Sequence, residues 1–127
     1  MFNATSKIFI FDVDGVIVDS TEECLVIAWN AWQSLNNKSD RIKLPEEAPE
    51  DYAKHFRSLR NYVRAMGEYA IIFNSVFSEI KTQMDYDKKL NTIPMTSQNE
   101  FAQHFFNERQ IYKEKYYSEW LRLHLIY

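Results

Sequence analysis

The sequence predicts a mostly helical chain that carries one short strand near its N-terminus. Glycine occurs only twice in 127 residues, which is too few for a barrel or sandwich built from many tight turns. Apolar residues recur at helical spacing over most of the chain. The exception is the apolar run KIFIF at residues 7–11, whose length and residue types favour a strand.

The predicted strand Lys7–Phe11 leads into the turn sequence Asp12–Gly15, and a second apolar triplet, Val16–Val18, follows the turn. A strand cannot satisfy its backbone hydrogen bonds alone. We therefore expect it to pair with a C-terminal core that these 127 residues lack, or with a second chain.

The first predicted helix spans Thr21–Leu35, because Ser20 and Glu23 match a capping box and apolar residues follow at helical spacing. Residues 36–49 are polar, contain two prolines and predict a loop. A second helix is predicted over Glu50–Ala65, ending near the second glycine of the chain.

A third helix is predicted over residues 68–90, and a last helix is predicted to begin at a capping box of Ser97 and Glu100. The apolar stripe of the third helix comprises Tyr69, Ile72, Phe73, Val76, Phe77, Ile80 and Met84. The stripe of the last helix comprises Phe101, Phe105, Tyr112, Tyr116, Trp120 and Leu123, which we interpret as core. The chain thus divides into a first core strand with its turn, residues 1–20, and a helical region, residues 21–127.

Charge and composition exclude several classes of protein. The net charge of −3 argues against nucleic acid as a partner. A single cysteine, Cys24, rules out an internal disulfide and a zinc site built from cysteines. The sequence shows no basic leader and no apolar stretch as long as a membrane span. We therefore expect a cytoplasmic protein that does not bind a membrane.

The chemistry in the sequence is concentrated in Asp12 and Asp14, two carboxylates at the end of the predicted strand. The first can attack phosphorus as a nucleophile, and the second can act as a general acid and base. Their mutual repulsion favours a bound Mg²⁺, which prefers oxygen ligands. A calcium loop does not fit, because Gly15 stands at loop position 4 instead of 6. An ordinary acidic turn is the remaining alternative.

The run KIFIFDVDGVIVDS at residues 7–20 resembles motif I of the haloacid dehalogenase superfamily, in the form found among phosphoglycolate phosphatases and β-phosphoglucomutases. The resemblance implies that Asp12 is the nucleophile and a Mg²⁺ ligand. It implies that Asp14 is the general acid/base and binds Mg²⁺ through its main-chain carbonyl. The family has an α/β Rossmann-like core with a helical cap after motif I, and residues 21–127 resemble that cap in position and helical character.

The resemblance implies a function for the parent of this chain. We expect the N-terminal part of a Mg²⁺-dependent phosphatase that acts on a small phosphomonoester through an aspartyl-phosphate, or of a related phosphomutase. The second, third and fourth motifs of the family are missing, so we expect the isolated, truncated chain to be inactive. The alternative is a non-catalytic helical binding or interaction module that carries a vestigial motif I.

Three arginines, Arg57, Arg60 and Arg64, recur at helical spacing on one face of the predicted second helix. The preferred interpretation is a solvated face that pairs with the nearby Glu50 and Asp51. The alternative is that the face binds an anionic substrate, and we name Arg60 as the candidate substrate-binding residue.

Overall fold

A computed structural model describes residues 20–125 of the chain. Within that range the chain forms five α-helices and three 3₁₀ segments, and no strand. The α-helices are α1 Thr21–Leu35, α2 Glu50–Leu59, α3 Gln83–Leu90, α4 Met95–Lys115 and α5 Tyr117–Leu125. The 3₁₀ segments are Pro45–Glu47, Arg60–Tyr62 and Met66–Asn74. The prediction of a mostly helical chain is confirmed, and the predicted strand Lys7–Phe11 lies outside the described residues.

Helix α1 has the predicted bounds, but its first turn is not capped as predicted. The Ser20 side chain accepts no hydrogen bond from a backbone N–H of the helix. Glu23 is buried and accepts two hydrogen bonds from the Arg109 guanidinium of α4, at 3.0 and 3.1 Å. A residue predicted to cap one helix therefore joins two helices.

The core lies where α1, α4 and the segment Met66–Asn74 pack together. Residues 25–28 of α1 are completely buried. Tyr69 stacks between Phe56 of α2 and Phe105 of α4, with ring centroids 5.3 and 5.2 Å apart. Phe101 and Phe105 are buried, which confirms that the α4 stripe is core.

Residues 36–49 form a loop, as predicted, and hydrogen bonds attach this loop to both core helices. The Asn30 side chain of α1 accepts from the Ile42 N–H at 2.8 Å and donates to the Ile42 carbonyl at 3.0 Å. Arg41 donates to both carboxylate oxygens of the buried Glu108 of α4, at 2.8 and 2.6 Å. Neighbouring loop residues thus anchor the loop to α1 and to α4.

The second helix is shorter than predicted. The prediction extends it over Glu50–Ala65, whereas α2 ends at Leu59 and continues as the 3₁₀ turn Arg60–Tyr62. The Ser58 hydroxyl donates to the His55 carbonyl at 2.7 Å. This side chain competes with the backbone for a carbonyl of the last turn, which favours ending the α-helix there.

The prediction of one helix over residues 68–90 is wrong. The chain forms a 3₁₀ segment and the short helix α3, separated by an irregular stretch at residues 75–82. The side chains of Asn74 and Ser75 donate to carbonyls of the preceding turn at 2.7 and 2.6 Å, replacing the backbone donors of a longer helix. Ser78 then adopts a φ of 72°, outside the right-handed helical region. The predicted stripe splits: Tyr69, Ile72 and Ile80 are buried, whereas Val76, Phe77 and Met84 are exposed.

The predicted last helix is two helices, α4 and α5, separated at Tyr116. Helix α4 begins at Met95 and does not use the predicted capping box of Ser97 and Glu100. Pro94 precedes its first turn with a φ of −56°, which suits the start of a helix. None of the helices in the described part of the chain combines the length and the apolar character needed to cross a bilayer.

Candidate functional site

Two of the three predicted site residues, Asp12 and Asp14, lie outside the described residues, and their roles stay predictions. Among the described residues, no group of three or more histidine, cysteine, aspartate or glutamate side chains could hold a metal ion. The expected Mg²⁺ site therefore depends on Asp12 and Asp14, whose oxygen donors are of the type that Mg²⁺ prefers. Arg60 is the predicted site residue that the structure describes.

Arg60 lies in a pocket of about 250 Å³ at the N-terminal end of α1, which we call the Ser20 pocket. Ser20 follows Asp14 by six residues in the sequence. The pocket thus lies where the chain enters α1 from the run at residues 7–20. Its polar and aromatic lining comprises Ser20, Cys24, Arg60, Arg64, Tyr69, Phe105 and Arg109.

Arg60 is the cation of this pocket that forms no ion pair with any residue among 20–125, and we call it uncompensated in that sense. Its side chain is half-buried, and its Nε is buried without a hydrogen-bond partner among residues 20–125. Its guanidinium forms no ion pair with any described residue, unlike those of Arg64 and Arg109. A cation that is partly removed from water and has no counter-ion attracts an anionic ligand.

Arg109 contributes a second cation whose position is fixed. Its Nε and Nη2 donate to the two carboxylate oxygens of Glu23, and Glu23 is 2% exposed. Burial disfavours the charged form of Arg109, but hydrogen bonds and the charge of Glu23 prevail and raise its pKa. The bidentate pair holds the guanidinium of Arg109 against the pocket.

Arg64 lies at the exposed rim of the Ser20 pocket. Its Nη2 lies 3.0 Å from an oxygen of Asp87, and its Nε lies 3.5 Å from an oxygen of Glu68. The charge of Glu68 contributes most to raising the pKa of Arg64. The predicted pairing of the arginine face with Glu50 and Asp51 is therefore wrong for Arg64.

Arg57, the remaining arginine of that predicted face, also pairs elsewhere. Its Nε lies 3.1 Å from a carboxylate oxygen of Glu22 in α1, and a second hydrogen bond makes the pair bidentate. Arg57, Arg60 and Arg64 do not share one helix, because α2 ends before Arg60. Of the three, only Arg60 and Arg64 line the Ser20 pocket.

Tyr69 and Cys24 form the inner wall of the pocket. Burial raises the pKa of the Tyr69 hydroxyl, so this side chain stays uncharged at neutral pH. Cys24 is buried, and its Sγ lies 3.9 Å from both the Ser20 Oγ and an Arg109 nitrogen. The pocket therefore offers cations, hydroxyls and no carboxylate of its own lining, which suits a small anion.

Two larger cavities elsewhere lack an uncompensated cation. A cavity of about 490 Å³ is lined by Arg57 and Arg122, which pair with Glu22 and Glu46. A cavity of about 420 Å³ between α1 and α4 is lined by Lys89, which pairs with Glu79. The cations named in these two cavities are paired, whereas Arg60 of the Ser20 pocket has no ion pair with a described residue. This difference distinguishes the Ser20 pocket, although the pocket is smaller than either cavity.

Sequence reasoning missed Arg109 and Tyr69 as site residues. Both lie within apolar patterns: Tyr69 belongs to the apolar stripe of the predicted third helix, and Arg109 follows the buried Phe105 by four residues. A charged residue on the apolar face of a helix is a usable signal, because burying it requires a partner.

Comparisons of this chain with protein-family models, with curated proteins and with solved structures find no match. Membership of the family that residues 7–20 resemble is therefore a proposal, and the geometry of the Ser20 pocket supports it.

Proposed function

We propose that residues 20–125 form the cap of a haloacid-dehalogenase-type phosphohydrolase, and that the Ser20 pocket receives the anionic part of its substrate. One observation carries this proposal. The pocket that contains the uncompensated Arg60 opens beside Ser20, the last residue of the run that resembles motif I. The helical character of residues 20–125 agrees with a cap inserted after that motif.

In the proposed reaction, an oxygen of Asp12 bonds to phosphorus and the bond from phosphorus to the substrate alcohol breaks. Asp14 donates a proton to the departing oxygen and then takes one from water, which attacks the aspartyl-phosphate and releases inorganic phosphate. Mg²⁺ held by the Asp12 carboxylate and the Asp14 carbonyl would neutralise charge on the phosphate oxygens. Arg60 attracts and orients the anionic substrate from the cap side. We place this activity in the cytoplasm.

The test is the Mg²⁺-dependent phosphatase activity of the protein purified from its native cells, measured together with its intact mass. We expect a species above 15.2 kDa, or a second polypeptide that co-purifies and supplies the remaining core. Asp12→Asn should lower the activity at least about a hundredfold, because it removes the nucleophile. The 127-residue chain by itself should show no turnover, since it lacks the residues that stabilise transition-state charge.

Asp51→Asn is the matched control, because Asp51 is an exposed carboxylate in the first turn of α2. It should leave the activity unchanged. Equal activity in the Asp12→Asn protein would contradict the proposal. A native species of 15.2 kDa without phosphatase activity would favour the helical binding module with a vestigial motif I.

A further inference from the structure

A shallow apolar groove of about 390 Å³ adjoins the Ser20 pocket. We call it the methionine groove; its lining includes Ala65, Met66, Met95, Gln98 and Ala102. Ala65 and Met66 line both the pocket and the groove. The cationic pocket and the apolar groove are therefore neighbours, and we call the two together the concavity.

A single face of α4 runs along the whole concavity. Met95, Ala102 and Arg109 are spaced by seven residues, or nearly two helical turns, and so lie on the same side of the helix. At about 1.5 Å per residue, Met95 lies about 21 Å from Arg109 along the helix axis. The concavity is thus long and narrow, whereas a compact phosphomonoester needs only its cationic end.

The groove is shallow because the chain at Gly67 lies directly on α4. A Cβ at Gly67 would lie 2.5 Å from the backbone oxygen of Gln98. The small residues Ala65, Gly67 and Ala102 leave a trough between the two methionines. Met66 and Met95 are 37% and 65% exposed, and methionine adapts its shape to varied apolar ligands.

One carboxylate, that of Glu68, also lines the methionine groove. It accepts a hydrogen bond from the Tyr86 hydroxyl at 2.8 Å and contacts the Arg64 guanidinium at 3.5 Å. The charge of Glu68 is therefore paired with a cation of the protein, whereas Arg60 has no ion pair with any residue among 20–125. The net preference of the concavity is for an anionic group at the Ser20 pocket and an apolar group along the groove.

We propose that this concavity binds an anionic amphiphile, a phosphomonoester whose phosphate lies near Arg60 and whose alkyl chain lies along the methionine groove. The choice of phosphate as the anionic group rests on the proposed function. The alkyl chain of the ligand is inferred independently of the proposed function. It would cover the exposed methionines, which a compact polar substrate would leave in contact with water.

The test is calorimetric titration of the 127-residue chain with methyl phosphate and with decyl phosphate below its micellar concentration. We expect decyl phosphate to bind at least about tenfold more tightly, because each methylene removed from water strengthens binding severalfold. Arg60→Gln should weaken both ligands about tenfold. Met95→Ser should weaken decyl phosphate alone, by about threefold.

Two control variants distinguish the site from general amphiphile binding. Met84→Ser changes a methionine that is 68% exposed, close to the 65% of Met95, but that does not line the groove. Arg122→Gln changes an exposed arginine outside the Ser20 pocket. Both controls should bind decyl phosphate as the unmodified chain does.

Equal binding of methyl and decyl phosphate would overturn the inference, as would absence of binding or equal losses in the control variants. Such results would not decide the proposed function, which the activity of the Asp12→Asn protein tests separately. Conversely, unchanged activity of Asp12→Asn would remove the proposed function even if decyl phosphate binds as expected.

Discussion

Helix α1 and the irregular segment at residues 75–82 are held in place by different interactions. Residues 25–28 of α1 are completely buried, and Glu23 ties this helix to α4 through a buried ion pair. In segment 75–82, Val76 and Phe77 are 68% and 51% exposed. Apart from the buried Ile80, this segment depends on surface polar contacts, such as the 3.0 Å bond from the Val76 N–H to Glu79.

The two regions contribute differently to the free energy of unfolding. Burial of large apolar side chains contributes far more to stability than exposed hydrogen bonds do. We therefore expect segment 75–82 to open locally at lower cost than α1. The Ser20 pocket includes the N-terminal turn of α1, and its Arg109 cation is held by Glu23 of α1, so this cation is positioned by the more stable of the two regions.

The largest expected difference comes from truncating one apolar side chain in each region. Ile27→Ala in α1 should lower the free energy of unfolding by about 2–4 kcal/mol, because Ile27 is fully buried and leaves a cavity. Phe77→Ala should cost less than about 1 kcal/mol, because half of its surface already contacts water. Urea denaturation measures both values. Equal losses would show that segment 75–82 shares in the core.

Loss of the Asn30 side chain tests how firmly α1 holds the loop at residues 36–49. Asn30→Ala should cost about 2 kcal/mol, since it leaves the buried N–H and carbonyl of Ile42 without this partner. Asn36→Ala is the control, because the Asn36 amide donates to a carbonyl at an exposed position. It should cost less than about 0.5 kcal/mol in the same urea experiment. A smaller loss for Asn30→Ala than for Asn36→Ala would mean that the loop is not held by this contact.

Segment 75–82 begins at a buried histidine contact that makes stability depend on pH. The Ser75 hydroxyl donates to the Ile71 carbonyl, so it accepts from Nε2 of His55 at 2.8 Å. Nδ1 of His55 is then the unprotonated nitrogen, and it is buried with no partner among the described residues. Burial lowers the pKa of His55.

A lowered pKa means that the unfolded chain takes up a proton at His55 before the folded chain does. Stability from this group is therefore present above about pH 6.5 and falls as the pH drops below that value. The urea midpoint measured from about pH 7.5 down to about pH 5 should decrease, and His55→Gln should flatten that decrease. The protection factors of the amides at residues 75–82, which correct for the pH dependence of intrinsic hydrogen exchange, should fall over the same range. A pH profile that His55→Gln leaves unchanged would assign the effect to other groups.

The smallest expected effect is a gain of stability at Ser78. Its φ of 72° lies in the left-handed region, which glycine adopts without the steric cost that serine incurs. Ser78→Gly should raise the free energy of unfolding by up to about 0.5 kcal/mol. Asn37, with a φ of 57°, is the control, because asparagine tolerates this region and Asn37→Gly should change little. Thermal unfolding of both variants measures the difference, and a loss of stability in Ser78→Gly would contradict the expectation.

Helices could be predicted from the sequence where neighbouring residues determine them. The prediction failed where another element of the fold determines how far the helix extends. The bounds of α1 follow from a dense apolar pattern that stays buried over successive turns. The stripe of residues 68–90 is equally regular, yet α4 covers only its first part, and the side chains of Asn74 and Ser75 end the segment. A helical period shows which residues could share a face, but not how much of that face another element covers.

Capping signals show the same limit. Ser20 with Glu23 matches the capping pattern, but Arg109, which is 86 residues away, binds the Glu23 carboxylate. The capping box that does form joins Thr82 and Asp85, with the Asp85 N–H donating to Thr82 at 3.1 Å. A distant cation can therefore engage the same carboxylate that a local pattern assigns to a cap.

The candidate site divides in the same way. The sequence alone shows that Asp12 and Asp14 are close together along the chain, and this is enough to propose their chemistry. The grouping of Arg60 with Arg109 could not be derived from the sequence, because Arg60 follows α2 and Arg109 lies in α4, and both helices must pack on α1 to bring the two together. Spacing and residue type along the chain decide where the chain can be helical and what chemistry is possible. Only packing decides which charges find partners and which, like that of Arg60, have none among residues 20–125.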